Sequence, residues 1–437
     1  MKVSYYSLGC KVNLYESEAI VNQFIENGFE LGQFDEICDV YIINTCSITE
    51  VSDAKSRKII RQATRKNSDA VVAVMGCYAQ LKPEDIKAIE GVDVLVGTNN
   101  RHLLYPLVME NLENKNKSFL VDDIMKVKEY EEVKMNRLND KTRGFIKIQD
   151  GCNNFCSYCT IPYARGTVRS RQSKDVIQEI KQLSEQGVKE IVLTGINTAS
   201  YGRDFKDYRF SDLLNDIFTQ VTNLGRLRIS SIEITEVTDE VLEVLHRNKD
   251  KFCLHFHIPL QGGSNKVLKR MNRKYDLSYY EQRINQIRNL FPGVNITTDI
   301  LAGFAGEDDE DFKSSCNFIR KIGYGEMHVF PYSRRPRTVA YEYPDHVNEI
   351  TKQLRVNELL RLSEIMALEY RKSWVDKKVV VLVEKVQNGI AFGHTSNYLE
   401  VEFKGNVEKN VFVEVMITEA KYPICKGVMV WHLKTIS

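Results

Sequence analysis

The sequence has no run of about 18 apolar residues, and its first ten residues, MKVSYYSLGC, lose their apolar character after a few positions. It also lacks an excess of charge, because 60 Lys and Arg against 59 Asp and Glu leave a net charge of +1. No overall field draws the chain to nucleic acid or membranes, so any polyanion site must come from local clusters of Lys and Arg. We expect a cytoplasmic protein without a membrane span.

Cysteine is abundant, with ten in 437 residues. Disulfide scaffolds are usually short and secreted, so we expect these cysteines to be reduced and to serve metal or redox chemistry. Six of them fall into two groups of three, which are described below. The remaining four have no such pattern, and we interpret them as packing residues: Cys38, Cys253, Cys316 and Cys425.

Alternating strand and helix patterns predict an α/β protein of three domains. Residues 1–112 are predicted as a doubly wound parallel sheet, with strands near 3–8, 37–44 and 70–75 and with Ser52 capping a helix. The Lys- and Glu-rich residues 113–142 are predicted as a linker. Residues 143–368 repeat the strand–helix unit about six times, which predicts a partial (β/α)6 barrel with active residues on its strand-end loops. Ser173 and Gly187 are expected to begin and end one of its helices.

The third domain, residues 371–437, changes to short alternating strands near 379–383, 390–392, 398–403, 411–417 and 428–433. This pattern predicts a small five-stranded antiparallel β-barrel, a shape that often holds single-stranded nucleic acid.

Three cysteines follow three predicted strands of the first domain. Cys10, Cys46 and Cys77 each lie one or two residues beyond a strand end. Because the carboxyl ends of parallel strands share one edge of a sheet, and ligands bind at that edge, we expect the three thiols to converge.

The other three cysteines form the loop CNNFCSYC, with Cys152, Cys156 and Cys159 after a predicted strand. Three thiolates this close in sequence can hold three irons of a cubane cluster and leave the fourth iron open to a small molecule. Zinc is the alternative, with His255 or His257 as a fourth ligand, but a spacing of three and then two residues is unusual for zinc.

Several stretches of the sequence, including both groups of cysteines, resemble the radical S-adenosylmethionine superfamily and, within it, the methylthiotransferases. The resemblance covers nearly the whole chain, including SLGCKVNLYESE, NTCSIT, VMGCYAQ, CNNFCSYCTIPYARG, HIPLQGGSNKVLKRMNRKY and HVFPYSRRPRTVA. The C-terminal barrel is similar to a TRAM domain, and the branch most similar to the chain acts on threonylcarbamoyladenosine in tRNA.

The resemblance implies two 4Fe–4S clusters, a catalytic one on Cys152, Cys156 and Cys159 and an auxiliary one on Cys10, Cys46 and Cys77. It also implies that one S-adenosylmethionine methylates a sulfur on the auxiliary cluster and a second yields the radical that takes the substrate hydrogen. Such chemistry needs an enclosed site. The expected partners are a tRNA anticodon stem-loop and an electron donor such as flavodoxin, with an unknown sulfur donor.

Further contacts are predicted at the ends of later strands. Cofactor-binding positions, two of which are suggested by the resemblance, are Gly195, Asn197, Ser230, Ser231, Glu233, Gln261 and Asp299. Substrate-binding positions, with aromatic rings to stack a base and guanidinium groups to meet phosphate or carboxylate, are Phe330, Tyr332, Arg334 and Arg335. The basic groups at Arg165, Arg169 and Arg171 are expected to be a solvated face or loop.

Two alternative functions stay open at this point. A sister methylthiotransferase would act on isopentenyladenosine in tRNA or on an aspartate of a ribosomal protein. A protein of a different class would bind RNA without catalysis and hold zinc in the barrel loop.

Overall fold

The computed structural model describes residues 1–133 and 142–432. The first domain is a six-stranded parallel sheet in the order β2-β1-β3-β4-β5-β6, with helices on both faces. Its strands are β1 (Lys2–Ser7), β2 (Glu30–Leu31), β3 (Val40–Thr45), β4 (Val71–Gly76), β5 (Val94–Val96) and β6 (Ser118–Leu120). Its helices are α1 (Lys11–Glu26), α2 (Glu50–Lys66), α3 (Cys77–Leu81), α4 (Pro83–Lys87) and α5 (Leu104–Asn114).

Two apolar cores explain why this sheet is wound on both faces. Helices α1 and α5 pack on one face, where Ile20 and Val108 are fully buried. Helices α2 and α3 pack on the other face, where Ile60 and Tyr78 are fully buried. Strands buried on both sides read as continuous apolar runs, and the sequence around β3 and β4 has this character.

Two details of this domain differ from the sequence prediction. The sheet extends beyond residue 112, because β6 pairs with β5 from within the predicted linker, of which residues 134–141 lie outside the described residues. The helix cap is Thr49 rather than Ser52, and the Oγ1 of Thr49 accepts a hydrogen bond from the Ser52 N–H. Both residues can cap, but the helix begins one turn earlier than expected.

The central domain is a partial barrel built around six parallel strands. Its strands are β7 (Arg143–Asp150), β8 (Arg169–Ser170), β9 (Glu190–Gly195), β10 (Arg226–Ile229), β11 (His255–His257), β12 (Asn295–Ala302) and β13 (Glu326–Pro331). The helices are α6 (Ile161–Arg165), α7 (Ser173–Glu185), α8 (Phe210–Gln220), α9 (Asp239–Arg247), α10 (Asn265–Arg270), α11 (Leu277–Leu290), α12 (Asp309–Ile322) and α13 (Glu349–Lys372).

The six strands run in the order β7, β9, β10, β11, β12, β13, which confirms the predicted (β/α)6 arrangement. Two hydrogen-bonded sheets share this order, and single bridges such as that between Ser231 and His257 join them. The short β8 is antiparallel to β7. Gly187 ends α7 with φ +90°, as expected, whereas the Ser173 side chain does not cap it, since the cap position is Gln172.

The C-terminal domain is a closed barrel in the order β14-β15-β16-β18-β17. Its strands are β14 (Lys378–Gln387), β15 (Ile390–Thr395), β16 (Glu400–Lys404), β17 (Phe412–Glu419) and β18 (Ile424–His432). The prediction of a purely antiparallel barrel was wrong in one pair, because β16 and β18 run parallel. None of the helices in the described part of the chain is apolar over enough length to cross a membrane.

A loop of this small barrel closes the floor of the central barrel, where the strands begin. The Tyr398 ring stacks on His255 at 4.8 Å, and the Arg228 guanidinium lies 4.5 Å from its centroid. Arg228 also donates to the carbonyl of Thr395. The carboxylate of Glu190 holds Arg228 and Arg226 in place, at 2.8 and 2.5 Å.

Replacing Glu190 with Gln should therefore weaken both the barrel floor and the domain interface. Burial alone would raise the pKa of the Glu190 carboxyl, but Arg228 and Arg226 hold it well below its usual range. The variant leaves two buried guanidinium groups poorly paired, and we expect the free energy of unfolding to fall by about 3–5 kcal/mol. Denaturant titration of the protein measures this change.

The exposed Glu185, also replaced with Gln, is the matched control and should change stability by less than about 0.5 kcal/mol. In the parent protein, the stabilisation from Glu190 is present above the unfolded pKa of about 4.3 and is lost as the pH falls below it. Equal stability of the two variants at neutral pH would show that the buried pairs do not hold the interface.

Candidate functional site

The structure brings Cys10, Cys46 and Cys77 to one edge of the N-terminal sheet. The electrostatic influence of Cys10 reaches both other thiols and raises the pKa of each. Gly9 lies against Cys46, since a β-carbon at Gly9 would come within 2.9 Å of its Sγ, and its φ of +95° favours glycine. The three thiols therefore lie near one another where β1, β3 and β4 end, although the three sulfurs are not all within 4.8 Å of one another.

Arg165 connects this edge to the barrel. The guanidinium of Arg165 is fully buried, and its Nε donates to the Sγ of Cys77 at 3.3 Å. Nη2 of the same group donates to the side-chain oxygen of Asn13 at 2.6 Å, and Nη1 donates to Glu16 at 2.6 Å. Arg165 belongs to α6, directly after the second cysteine group, so its side chain connects the helix that follows that group to Cys77.

A buried network of charges surrounds Arg165. Lys147 of β7 donates to Glu16 of α1 at 2.6 Å and to Asp150 at 2.5 Å, and Arg101 also pairs with Glu16. Burial alone would raise the pKa of the Glu16 carboxyl, but Arg101, Arg165 and Lys147 lower it to about 2. A buried charge that loses its partner is costly, so this network fixes α1 against β7.

The second group of cysteines lies on the loop between β7 and α6. The Cys152 N–H donates to the carbonyl of Gly166 at 3.0 Å, and the Cys159 N–H donates to that of Cys156 at 3.0 Å. Gly151, which opens the loop, has φ +74°, and a β-carbon there would lie 1.9 Å from the Thr167 carbonyl oxygen. Backbone bonds and one obligatory glycine therefore fold this loop.

Arg273 contacts a cysteine of this loop, just as Arg165 contacts a cysteine at the sheet edge. Its Nη1 donates to the Sγ of Cys156 at 3.2 Å, and its Nη2 pairs with Glu233 at 2.5 Å. Each group of thiols thus has one arginine that donates to a sulfur and that a carboxylate holds in place. A guanidinium in this position stabilises negative charge on sulfur.

The chemistry of both groups fits a cluster better than a single ion. Burial raises the pKa of Cys77 to about 12 and that of Cys152 to about 11, so ionisation needs a strong cation at the sulfurs. Three thiolates on one zinc ion would lie about 3.8 Å apart, given Zn–S bonds of about 2.3 Å. Neither group is that compact, because among the described residues only His257, Asp299 and His328 bring three ligand atoms within 4.8 Å of one another.

The predicted cofactor positions on β9 lie close to the cysteine loop. The Asn197 N–H donates to the side-chain oxygen of Gln149 at 2.9 Å, and Gln149 in turn donates to the carbonyl of Gly151. Gly195 lies against the same glutamine. The Gln149 side chain therefore links both positions to Gly151 at the start of the cysteine loop. Their role in cofactor binding stays a prediction.

The remaining predicted cofactor positions differ in accessibility. Ser231 is exposed, whereas Ser230 is buried and bonded to the Thr198 hydroxyl at 3.0 Å. Glu233 is bound by Arg273, and Gln261 adopts φ +65° on the loop after β11. Oδ1 of Asp299 is in contact with two histidines, as described below.

Comparisons with known proteins decide the family. The Radical SAM superfamily model matches residues 146–319, and the model of Uncharacterized protein family UPF0004 matches residues 2–97. The chain is 45% identical over 431 residues to the threonylcarbamoyladenosine tRNA methylthiotransferase MtaB of Bacillus subtilis, which covers 97% of this chain and 95% of the relative. The chain belongs to the radical S-adenosylmethionine tRNA methylthiotransferases.

Two further relatives show both named branches of this family. The chain is 36% identical to the Aquifex aeolicus enzyme of the same name, with 95% and 100% of the two chains covered. It is also 36% identical to the tRNA-2-methylthio-N(6)-dimethylallyladenosine synthase of Carboxydothermus hydrogenoformans, with 98% and 99% covered. The family implies S-adenosylmethionine and a 4Fe–4S cluster as cofactors.

A solved structure supports the fold of this methylthiotransferase. The radical S-adenosylmethionine methyltransferase TsrM from Kitasatospora setae, with cobalamin and a [4Fe-4S] cluster bound, matches with a TM-score of 0.57. The match covers 90% of this chain and 81% of that chain at 14% identity, so it bears on the fold alone.

Two predicted substrate contacts of the methylthiotransferase are not where we expected them. Tyr332 is buried and stacks on His346 at 5.9 Å, so its ring is not available to a base. Arg335 is also buried and pairs with Asp53 of α2 at 2.8 Å, which fixes the loop after β13 to the N-terminal domain. Phe330 and Arg334 are exposed and remain candidates.

The sequence analysis also missed the role of the buried arginines. Arg165, Arg169 and Arg171 are not a solvated face, since each is at most 3% exposed and faces carboxylates. Burial lowers the pKa of His255, and the nearby Lys11, next to Cys10, lowers it further, whereas the hydrogen bond with Asp299 raises the pKa of His328. The one available signal was proximity to the cysteines along the sequence, which does not reveal partners in another domain.

Replacing Arg335 with Gln should destabilise the cluster-free protein without any tRNA present. Within residues 1–133 and 142–432, the variant leaves Lys82, at 3.4 Å, as the remaining cationic partner of Asp53. We expect a loss of about 3 kcal/mol in the free energy of unfolding. The exposed Arg334, replaced with Gln, is the matched control and should lose less than about 0.5 kcal/mol. A stable Arg335 variant that fails only on tRNA would instead restore the original prediction.

Proposed function

We propose that this enzyme adds a methylthio group to C2 of N6-threonylcarbamoyladenosine next to the anticodon of tRNA. The observation that carries the proposal is the pair of thiol groups on separate domains, with Arg165 reaching from the helix after the second group to Cys77 of the first. A methylthiolation needs a source of sulfur and a means to activate a C–H bond. Two sites of similar chemistry, fixed relative to each other, suit these two tasks.

Each thiol group would hold one 4Fe–4S cluster. Cys152, Cys156 and Cys159 would hold the cluster that binds S-adenosylmethionine, and Cys10, Cys46 and Cys77 would hold the auxiliary one. When bound, these groups supply the radical that activates the substrate C–H bond and the sulfur and methyl that replace its hydrogen. Arg273 would stabilise the thiolate of Cys156, and Arg165 that of Cys77.

Several residues would position the small cofactor. The backbone at Gly195 and the amide of Asn197 lie beside the cysteine loop, and Ser231 and Gln261 are accessible on neighbouring strand ends. Glu233 would act through Arg273, and Ser230 through the buried Thr198. Asp299 is omitted from this set because both histidines already contact its oxygen.

The choice of nucleoside rests on the relatives' names and on one arginine. Two relatives are named for threonylcarbamoyladenosine, one of them at 45% identity, and the branch named for dimethylallyladenosine reaches 36%. Arg334 is exposed, with its guanidinium 4.2 Å from the Tyr341 ring centroid, and could pair with the carboxylate of the threonylcarbamoyl group. Phe330, 42% exposed, would stack a base of the anticodon loop. A flavodoxin-type donor and a cytoplasmic location complete the proposal.

Metal analysis of anaerobically purified, reconstituted protein tests the two clusters. We expect about eight irons and eight sulfides per chain, because two cubanes contain that number. Replacing Cys10, Cys46 and Cys77 together with Ala should leave about four, as should replacing Cys152, Cys156 and Cys159. Replacing Cys38 and Cys316 with Ala is the control and should retain the full content. Zinc without iron would support the non-catalytic RNA-binding alternative.

Mass spectrometry of tRNA nucleosides from cells with and without the gene tests the substrate. We expect the 2-methylthio derivative of threonylcarbamoyladenosine to disappear and its precursor to accumulate, because the enzyme would no longer convert the precursor at C2. The isopentenyladenosine derivatives serve as the internal control and should stay unchanged. Loss of the 2-methylthio isopentenyl derivative would assign the sister activity, and unchanged tRNA would point to the ribosomal protein.

A further inference from the structure

Three ligand-type side chains meet inside the central barrel, apart from both thiol groups. His257, Asp299 and His328 belong to the adjacent parallel strands β11, β12 and β13. Asp299 is directly opposite His328, and His257 is opposite Thr297, two residues before Asp299 on the same face. The opposite face carries Phe256, Ile258 and other apolar residues that pack on the helices. The three side chains therefore point into the barrel.

Their ligand atoms converge on one oxygen. Nε2 of His257 lies 3.2 Å from Oδ1 of Asp299, and Nδ1 of His328 lies 3.1 Å from that same oxygen. The two imidazole rings are nearly parallel, with centroids 5.3 Å apart. Neighbouring ligands of one ion at about 2.1 Å are about 3.0 Å apart in octahedral and about 3.4 Å apart in tetrahedral geometry. The two separations from Oδ1 of Asp299 fall between these values, and all three ligand atoms lie within 4.8 Å of one another.

The surroundings of His257 fit a metal ligand. Oγ1 of Thr297 lies 2.9 Å from Nδ1 of His257, on the nitrogen that does not face Asp299. Metal-binding histidines commonly keep a hydrogen-bond partner at that position, which fixes the ring and its tautomer. The His328 side chain is 55% exposed, so one side of the group is accessible to solvent.

We propose that His257, Asp299 and His328 bind one divalent transition-metal ion, separate from the iron–sulfur sites. Two imidazoles and one carboxylate on three adjacent strands are the donor set that holds such ions while leaving coordination positions open. These nitrogen and oxygen donors differ from the thiolates that iron–sulfur clusters need, so the two kinds of site are chemically distinct. The inference does not depend on which tRNA nucleoside the enzyme modifies.

Equilibrium dialysis of the cluster-loaded enzyme against Co²⁺, followed by metal analysis, tests the site. The clusters occupy six of the ten cysteines and the other four are buried, so added Co²⁺ mainly meets nitrogen and oxygen donors. We expect the protein to bind about one Co²⁺ per chain in addition to the iron of its clusters. Asp299→Asn and His328→Gln should each weaken Co²⁺ binding at least about tenfold while the iron content stays unchanged.

His102→Gln is the matched control, because His102 also lies beside a carboxylate, at 3.0 Å from Glu131, but has one such partner. It should leave the Co²⁺ affinity unchanged. The His328 variant keeps the experiment decisive should Asp299→Asn fail to fold, since the His328 side chain is largely exposed. Absence of stoichiometric Co²⁺, or equal affinity in the His328 and His102 variants, would overturn the proposal.

Discussion

The buried charge network between the first domain and the barrel is the constraint on which the candidate site depends. The carboxylate of Glu16, in α1, pairs with Lys147 of β7, with Arg101 and with Arg165, so basic residues from both domains share one carboxylate. Because an unpaired charge in this position would be strongly destabilising, the two domains have one favourable arrangement. That arrangement sets the separation between the two groups of thiols. The chemistry we propose requires the sulfur and the reactive carbon to meet, which a loose domain interface would not secure.

A second contact stabilises the same arrangement from the other side of the barrel. Arg335 reaches from the loop after β13 to Asp53 and to the Ser47 hydroxyl, next to Cys46. The first domain therefore contacts the central barrel at both ends of its order of six strands, at β7 and at the segment that follows β13. In a partial barrel these are the two strands at the open side. The N-terminal domain thus contacts the barrel on both sides of its opening, and radical chemistry there would benefit from the exclusion of water.

The sequence predicted the features that depend on local pattern. Strand positions and the approach of Cys10, Cys46 and Cys77 follow from short apolar runs and from the shared edge of parallel strands. Features that depend on partners far along the chain were missed. Arg335 and Asp53 are 282 residues apart, and nothing near either residue reveals the pair. The same reason explains why Tyr332 was expected at the surface, and why the parallel pairing of β16 with β18 was not foreseen, since alternation does not encode strand order.

The closed floor of the barrel restricts how an RNA could be held. Arg226, Arg228 and Asn295 donate to backbone carbonyls of residues 394–397, at the ends where the strands begin. Both groups of cysteines lie at the opposite ends of their strands. A nucleotide that reaches the cysteines must therefore enter from the strand-end side, while the C-terminal barrel is anchored at the floor. An RNA that contacted both that barrel and the cysteine loops would therefore extend along the outside of the central domain.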